Sequence, residues 1–517
     1  MILIRGLFWL IITLTCIFPV GSFLLSSTSQ LDLNFVGIIL NDPYIKLSFG
    51  FSFLVGATTT LLCCIFGVVL ALFLLAVNQR ISLNLSLLLI AASLTPPFVG
   101  PLGFQFLFRL IGLQSSFLGI IFSQVIYLSP IAALIIESSA RNIDANLISA
   151  CRVFKLSKRQ LLISVILPLL SPAILNSTFI VFLASITDLA SALVFEERRM
   201  LSVIIFNLVS DNPNASASVI VLGLFVIITG LFLLLKLYSS KFFVETVTGS
   251  YVPLQLSLGF LTKSILGVFF AGIALLNLVP QIFVAYFSFV DFSNRFTLSH
   301  YVTLANEPQI LRSLGNSLFL ASFSSLAAIV ISFSLALNSL KHKSYFAALE
   351  ESLSNAAFIL PSLFISFLLI FSYQGTALDN QKAPLLLLLL VFTFKKIPNG
   401  VRTFSSVLPQ LAGDLEACAR VYKLPTSSIW LKIYFPLLAA TFLRKFFIFF
   451  AISLFESSAS LLIPFEAKYY PLSKMVYQLI TEPDFFGSSC ALLTLLNGLV
   501  FLTAPLVAKL QKHSVFR

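Results

Sequence analysis

The sequence predicts an all-α membrane protein of about twelve transmembrane helices, arranged as two parallel repeats of about six helices each. Three observations predict it. The composition is 58% hydrophobic and only 10% charged, with a mean hydropathy of +1.03, more apolar surface than a soluble core can hide. Apolar stretches of about 20 residues, the length that crosses a bilayer, recur along the whole chain between short polar breaks. The two halves of the chain also repeat each other.

The first span, 4–26, follows Arg5 and ends near the small residues Gly21 and Ser22, a pattern shared by a secretory signal peptide, which is the alternative reading of this segment. The others expected in the first half are 46–76, 84–109, 115–137, 172–195 and 217–237. A stretch around 238–261, interrupted by Lys241, Glu245, Gly249 and Pro253, reads as a linker on the cytoplasmic side. The second half supplies 262–290, 312–339, 347–373, 383–402, 437–463 and 487–509.

Net charge is +12, yet the basic residues fall on alternate loops and not in one patch or arm, so orientation explains them better than nucleic acid does. Most fall on one side when the N-terminus is placed in the cytoplasm, including Arg152, Lys155, Lys158 and Arg159 and, toward the inside ends of their spans, Lys395, Lys396, Arg444 and Lys445. Both termini are therefore expected in the cytoplasm. The six cysteines sit in or beside apolar spans, without the spacing of a disulfide framework or a zinc site, and read as small apolar residues.

The repeat is explicit in the residues. Arg152-Val153-Phe154-Lys155-Leu156 returns as Arg420-Val421-Tyr422-Lys423-Leu424, and Pro168-Leu169-Leu170 as Pro436-Leu437-Leu438, both 268 positions later. Upstream the offset is 265: Asn41-Asp42-Pro43 matches Asn306-Glu307-Pro308, and Leu70-Ala71-Leu72 matches Leu335-Ala336-Leu337. Six spans per half keep the copies in one orientation, about an axis along the membrane normal, and the repeats are taken as 1–245 and 246–517.

Between the fourth and fifth spans of each half lies a long basic stretch, 138–171 and 403–436. Leu147, Cys151 and Phe154 fall at i, i+4 and i+7, as do Leu415, Ala419 and Tyr422, so each stretch predicts a helix with one apolar face. At these residues the chain resembles the inner-membrane permeases of binding-protein-dependent ABC importers, whose loop carries Glu-Ala-Ala, then Gly, then Ile-x-Leu-Pro at fixed spacing. Ser149-Ala150-Cys151, Lys155 and Val165-Ile166-Leu167-Pro168 take those places in the first copy; Ala417-Cys418-Ala419, Lys423 and Ile433-Tyr434-Phe435-Pro436 take them in the second. Lys replaces the Gly in both.

The resemblance implies that each loop docks as a coupling helix on a cytoplasmic ABC ATPase subunit, present in two copies, and that a periplasmic or extracellular solute-binding protein delivers the cargo. It places the chain in a bacterial inner membrane. The alternative for both loops is an ordinary interfacial amphipathic helix.

Asp188 in the fifth span corresponds to Glu456 in the eleventh. Acids inside spanning helices are costly and commonly face a water-filled cavity, which makes both translocation-path candidates. The other reading puts each near the outer interface, within reach of water. Pro96-Pro97-Phe98-Val99-Gly100, Thr187-Asp188-Leu189 and Glu456 followed by Leu461-Leu462-Ile463-Pro464 resemble ferric-iron-type permeases, with thiamine and phosphonate permeases as alternatives. The three histidines are scattered, so no metal-ligand cluster is evident and no cofactor is expected. No phosphate-cradling Gly-x4-Gly-Lys-Ser/Thr loop occurs, so ATP hydrolysis is assigned to a partner and not to this chain. A twelve-span secondary transporter is the competing class; a membrane enzyme lacks any convergent His, paired-acid or nucleophile constellation.

Overall fold

A computed structural model describes residues 2–30, 37–39, 41–141, 143, 151, 153–154, 157–211, 215–240, 256, 258–291, 293–341, 344–422, 429–463 and 465–515. These residues form helices joined by short turns, and no strand occurs among them. In the N-terminal half, α1 (Ile2–Ile12) passes through a π-turn into α2 (Phe18–Gln30), followed by α3 (Pro43–Ala76), α4 (Gln79–Ser93), α5 (Val99–Leu110) and α6 (Ser116–Ala140). Then come α7 (Leu167–Ile186), α8 (Ala190–Val194), α9 (Leu201–Asp211) and α10 (Ala215–Ser240).

The C-terminal half repeats the order. It comprises α11 (Phe260–Ser288), α12 (Ser299–Asn306), α13 (Pro308–Lys341), α14 (Tyr345–Ile359), α15 (Ser362–Tyr373) and α16 (Pro384–Val421), then α17 (Phe435–Leu454), α18 (Ser458–Leu462), α19 (Leu472–Thr481) and α20 (Phe486–Val515).

Ten described helices are long and apolar enough to cross a membrane, where the sequence suggested about twelve. The difference lies in the third and ninth expected spans. Pro96-Pro97 separates α4 from α5, and Pro361 separates α14 from α15, because proline removes a backbone donor and clashes with the preceding turn. The tenth span is longer than expected: α16 runs unbroken from Pro384 to Val421, so the front of the 403–436 stretch is a continuation of the membrane helix and not a separate loop.

The first helix of each half packs on the other half. In α1 and α2, Arg5 and Trp9 reach Glu350 of α14 at 2.9 and 3.1 Å, and Phe23 packs edge-on against Phe367 and Phe371 of α15. In α11, Asn277 donates to the Ile126 carbonyl, Phe269 meets Phe66, and the Pro280 backbone lies so close to Gly103 that a side chain there would collide with it. This exchange locks the halves together.

Hydrogen bonds recur in the repeat register. The Leu201 N–H donates to Ser52 Oγ at 2.8 Å, and the Leu472 N–H to Ser317 Oγ at 2.6 Å. Where α3 crosses α6, Gly67 lies against Ala132; where α13 crosses α16, Ser332 lies against Gly400. Small residues let membrane helices approach closely, since apolar burial contributes little between helices already in lipid. Here the glycine has moved to the opposite helix while the close crossing is kept.

Candidate functional site

Three regions bear on function: the end of the bundle carrying the two basic stretches, the two acids within the helices, and the opposite end where the halves meet.

At the first end, Leu147, Ser149, Ala150, Arg152 and Lys155 lie outside the described residues, as does Lys423. Leu415, Ala417, Cys418, Ala419 and Arg420 lie on the last turns of α16. Cys151 is half-buried, and Pro168 and Pro436 sit in the first turns of α7 and α17. Val153 and Phe154 are each 80% exposed, and Val421 and Tyr422 are 80% and 81% exposed. The same apolar-aromatic pair therefore projects from both halves at repeat-equivalent positions. On the side facing the bundle, Arg141 pairs with Glu137 and donates to Ser82 Oγ at 2.6 Å, fixing the exit of α6.

The acids occupy matching helix breaks. Asp188 lies between α7 and α8; its Oδ1 accepts from the Ala190 and Ser191 N–H groups at 3.1 and 3.4 Å. Glu456 lies between α17 and α18; its Oε2 accepts from Ala459 and Ser460 at 3.0 and 3.4 Å. Each carboxylate satisfies the otherwise unpaired amides of a short helix, a favourable place for negative charge. Both carboxylates are held by backbone amides.

Around them the halves diverge. Beside Asp188 is a neutral network: Gln124 Nε2 donates to Asp188 Oδ2 at 3.0 Å, while Gln124 Oε1 accepts from Ser185 at 2.6 Å and Thr59 at 3.1 Å. Beside Glu456 stand lysines. Lys395 Nζ donates to the Ala357 and Leu360 carbonyls freed by the break between α14 and α15, Lys396 Nζ to Ser324 Oγ at 2.7 Å, and Lys445 Nζ to Asn399 Oδ1 at 2.8 Å. Lys395, Lys396 and Lys445 are thus not at the inside ends of their spans. Lys396 is 4% exposed and lies twelve residues into α16, about 18 Å along it at about 1.5 Å per residue. For Lys395 and Lys396 the expectation erred because α16 continues well past residue 402, whereas Lys445 lies midway along α17. A dilysine within an apolar run was the available sequence signal; Gln124 and Thr59 gave none, being ordinary polar residues in spanning helices.

At the other end, Phe206 of α9 and Tyr477 of α19 occupy matching places after Leu201-Ser202 and Leu472-Ser473. Their rings meet edge to face at 6.0 Å, and Phe98 stacks on Tyr477 at 6.2 Å. Beside this cluster opens a cleft of about 910 Å³, with Gln105, Arg109, Asn207, Asp291 and His300 among its polar walls. Its rim is fixed by Glu197, which accepts from Arg199 Nε at 2.7 Å and Ser116 Oγ at 2.6 Å, with Arg199 held 4.3 Å over the Phe51 ring. Burial alone would push the Glu197 carboxyl up, but the hydrogen bonds from Arg199 and Ser116 and the Arg199 charge outweigh it and hold the group below its ordinary value. No group of three or more His, Cys, Asp or Glu able to hold a metal ion occurs among the described residues.

Paired helix repeats with polar breaks inside the bundle describe a multi-pass membrane protein. Residues 64–244 match the family model described as binding-protein-dependent transport system inner membrane component, so over that region the chain is similar to this family. More particularly, it is similar to the ferric transport system permease protein FbpB of Actinobacillus pleuropneumoniae, with 26% identity over 172 residues, covering 30% of this chain and 25% of the relative. The Haemophilus influenzae protein described as ferric transport system permease protein FbpB 1 is 26% identical over 172 residues, covering 30% and 27%. The chain thus matches about a quarter of the length of these relatives.

Proposed function

We propose that the whole chain, with repeats 1–245 and 246–517, forms the membrane channel of an ABC importer, and that ferric iron is its cargo. The reading rests above all on the contact between Phe206 and Tyr477. Two residues in matching places of the halves meet each other, as expected of a closure on the axis relating them. The cleft beside this pair receives solute from a binding protein; the exposed Val153-Phe154 and Val421-Tyr422 pairs at the opposite end are anchors for two ATPase subunits. Both termini lie on the ATPase side, and Asp188 and Glu456 line the path between. The 26% similarity to ferric permeases supports the cargo.

The deciding experiment is purification of the tagged chain in mild detergent with identification of bound proteins. An ATPase should co-purify and should be lost on replacing Phe154 and Tyr422 by Asp, with the permease still folded. A folded chain that purifies alone and takes up solute without ATP would make it a secondary transporter.

A further inference from the structure

We propose that the cavity beside Glu456 is a binding site for a small inorganic anion. The cavity has a volume of about 150 Å³ and is walled by Lys395, Lys396, Asn399, Ser453 and Glu456. A water molecule takes about 30 Å³ of liquid, so the space holds an ion of phosphate or chloride size with a few waters.

Its lysines are hydrogen-bonded to neutral groups. The acceptors of Lys395, Lys396 and Lys445 are two carbonyl oxygens, a serine hydroxyl and an amide oxygen, all neutral. Among the described residues none of the three comes within ion-pairing distance of Glu456. That carboxylate is turned instead to the Ala459 and Ser460 amides, with Ser362 also hydrogen-bonded to it. Two lysines, Lys395 and Lys396, therefore line the cavity beside one carboxylate that is already engaged by neutral donors, with Lys445 bonded to the neighbouring Asn399. Uncompensated charge deep in a bundle is costly, and an anion entering the cavity lowers that cost.

The donors are in place to receive it. Lys396 uses one of its three N–H groups on Ser324. Asn399 turns its carbonyl oxygen to Lys445 and so leaves its amide NH2 for the cavity.

The cluster is confined to one half. In the repeat register Lys395, Lys396 and Lys445 correspond to Tyr127, Leu128 and Ser177, so nothing in the shared fold demands lysine there. Holding the frame is also an incomplete account: Asp188 occupies the same helix break with a neutral glutamine and two hydroxyls around it.

The test is a thermal-shift titration of the full chain in lipid nanodiscs with inorganic phosphate and with chloride, against a background of a bulky organic anion. The melting temperature should rise saturably with at least one of the two. Lys396→Gln should weaken the apparent affinity about tenfold or more, and Glu456→Gln, which removes the one opposing charge, should tighten it by about tenfold. Glu456→Gln keeps the proposal testable where a lysine variant fails to fold. No saturable response to either ion, or a response that Glu456→Gln leaves unchanged or weakens, would overturn it. Ion binding is read on the purified chain, so the result is separate from whether the chain transports iron.

Discussion

Among single residues, the charged groups divide by what compensates them. Asp188 and Glu456 are stabilised by backbone amides at helix breaks, and Glu350 by Arg5, Trp9 and Asn338 together. Glu197 on the cleft rim is stabilised by Arg199 and Ser116, which hold its carboxyl below the ordinary value of 4.5. Such a group contributes stability that is fully present above 4.5 and is lost as pH falls through the depressed native value. Melting measured from pH 6 downward should therefore show wild type losing stability more steeply than Glu197→Gln below about pH 4.5. Parallel curves would mean that the pair is not maintained in solution. The sequence marked Asp188 and Glu456 because each is an acid within an apolar run. It did not mark Glu350, whose partner Arg5 lies 345 positions away, or Glu197, held by Arg199 two positions on and by Ser116 81 positions back.

At the scale of elements, close crossings organise each half. A Cβ on Gly67 would stand 2.7 Å from the Ala132 Cβ, too near for the helices to stay in place. Gly67→Ser should therefore destabilise the protein by about 1–3 kcal/mol, the usual cost of overpacking. Adding Ala132→Gly recreates the Ser332–Gly400 pairing of the other half and should recover most of the loss, a coupling readable in a double-mutant cycle of melting temperatures. Strict additivity of the two changes would show that the crossings are not equivalent. Helix breaks follow the same logic of local chemistry. Pro96-Pro97 and Pro361 were visible in the sequence, yet a hydrophobic window passes over a proline, so each broken pair of helices read as one span.

At the scale of the whole molecule, the exchange of first helices ties each half to the other, while the surfaces around Phe206 and Tyr477 meet through small aromatic contacts. That combination suits two bodies that rock about a shared axis without separating. Phe206→Cys with Tyr477→Cys should be joined by a short bifunctional thiol reagent in the resting protein, and the joined form should lose ATP-driven uptake. Uptake that persists after complete cross-linking would place the closure elsewhere. The lysine cluster has a consequence at this scale too. On the proposed reading of iron as cargo, a bare trivalent cation beside charged Lys395 and Lys396 would be repelled by both, so iron would pass this cavity under a shell of anionic ligands.

The sequence by itself determined the membrane class, the internal repeat, the basic stretches at one end and the two acids. Hydropathy, periodicity and self-similarity are local or register properties, and they survive without knowledge of contacts. The tertiary structure decided the rest: that the first helices exchange partners, that Phe206 meets Tyr477, that α16 runs on to Val421, and that two lysines and Glu456 line one cavity. Those features arise where helices from distant parts of the chain pack, and packing in lipid is set by the fit of small side chains and hydrogen bonds, which no single stretch of sequence reveals.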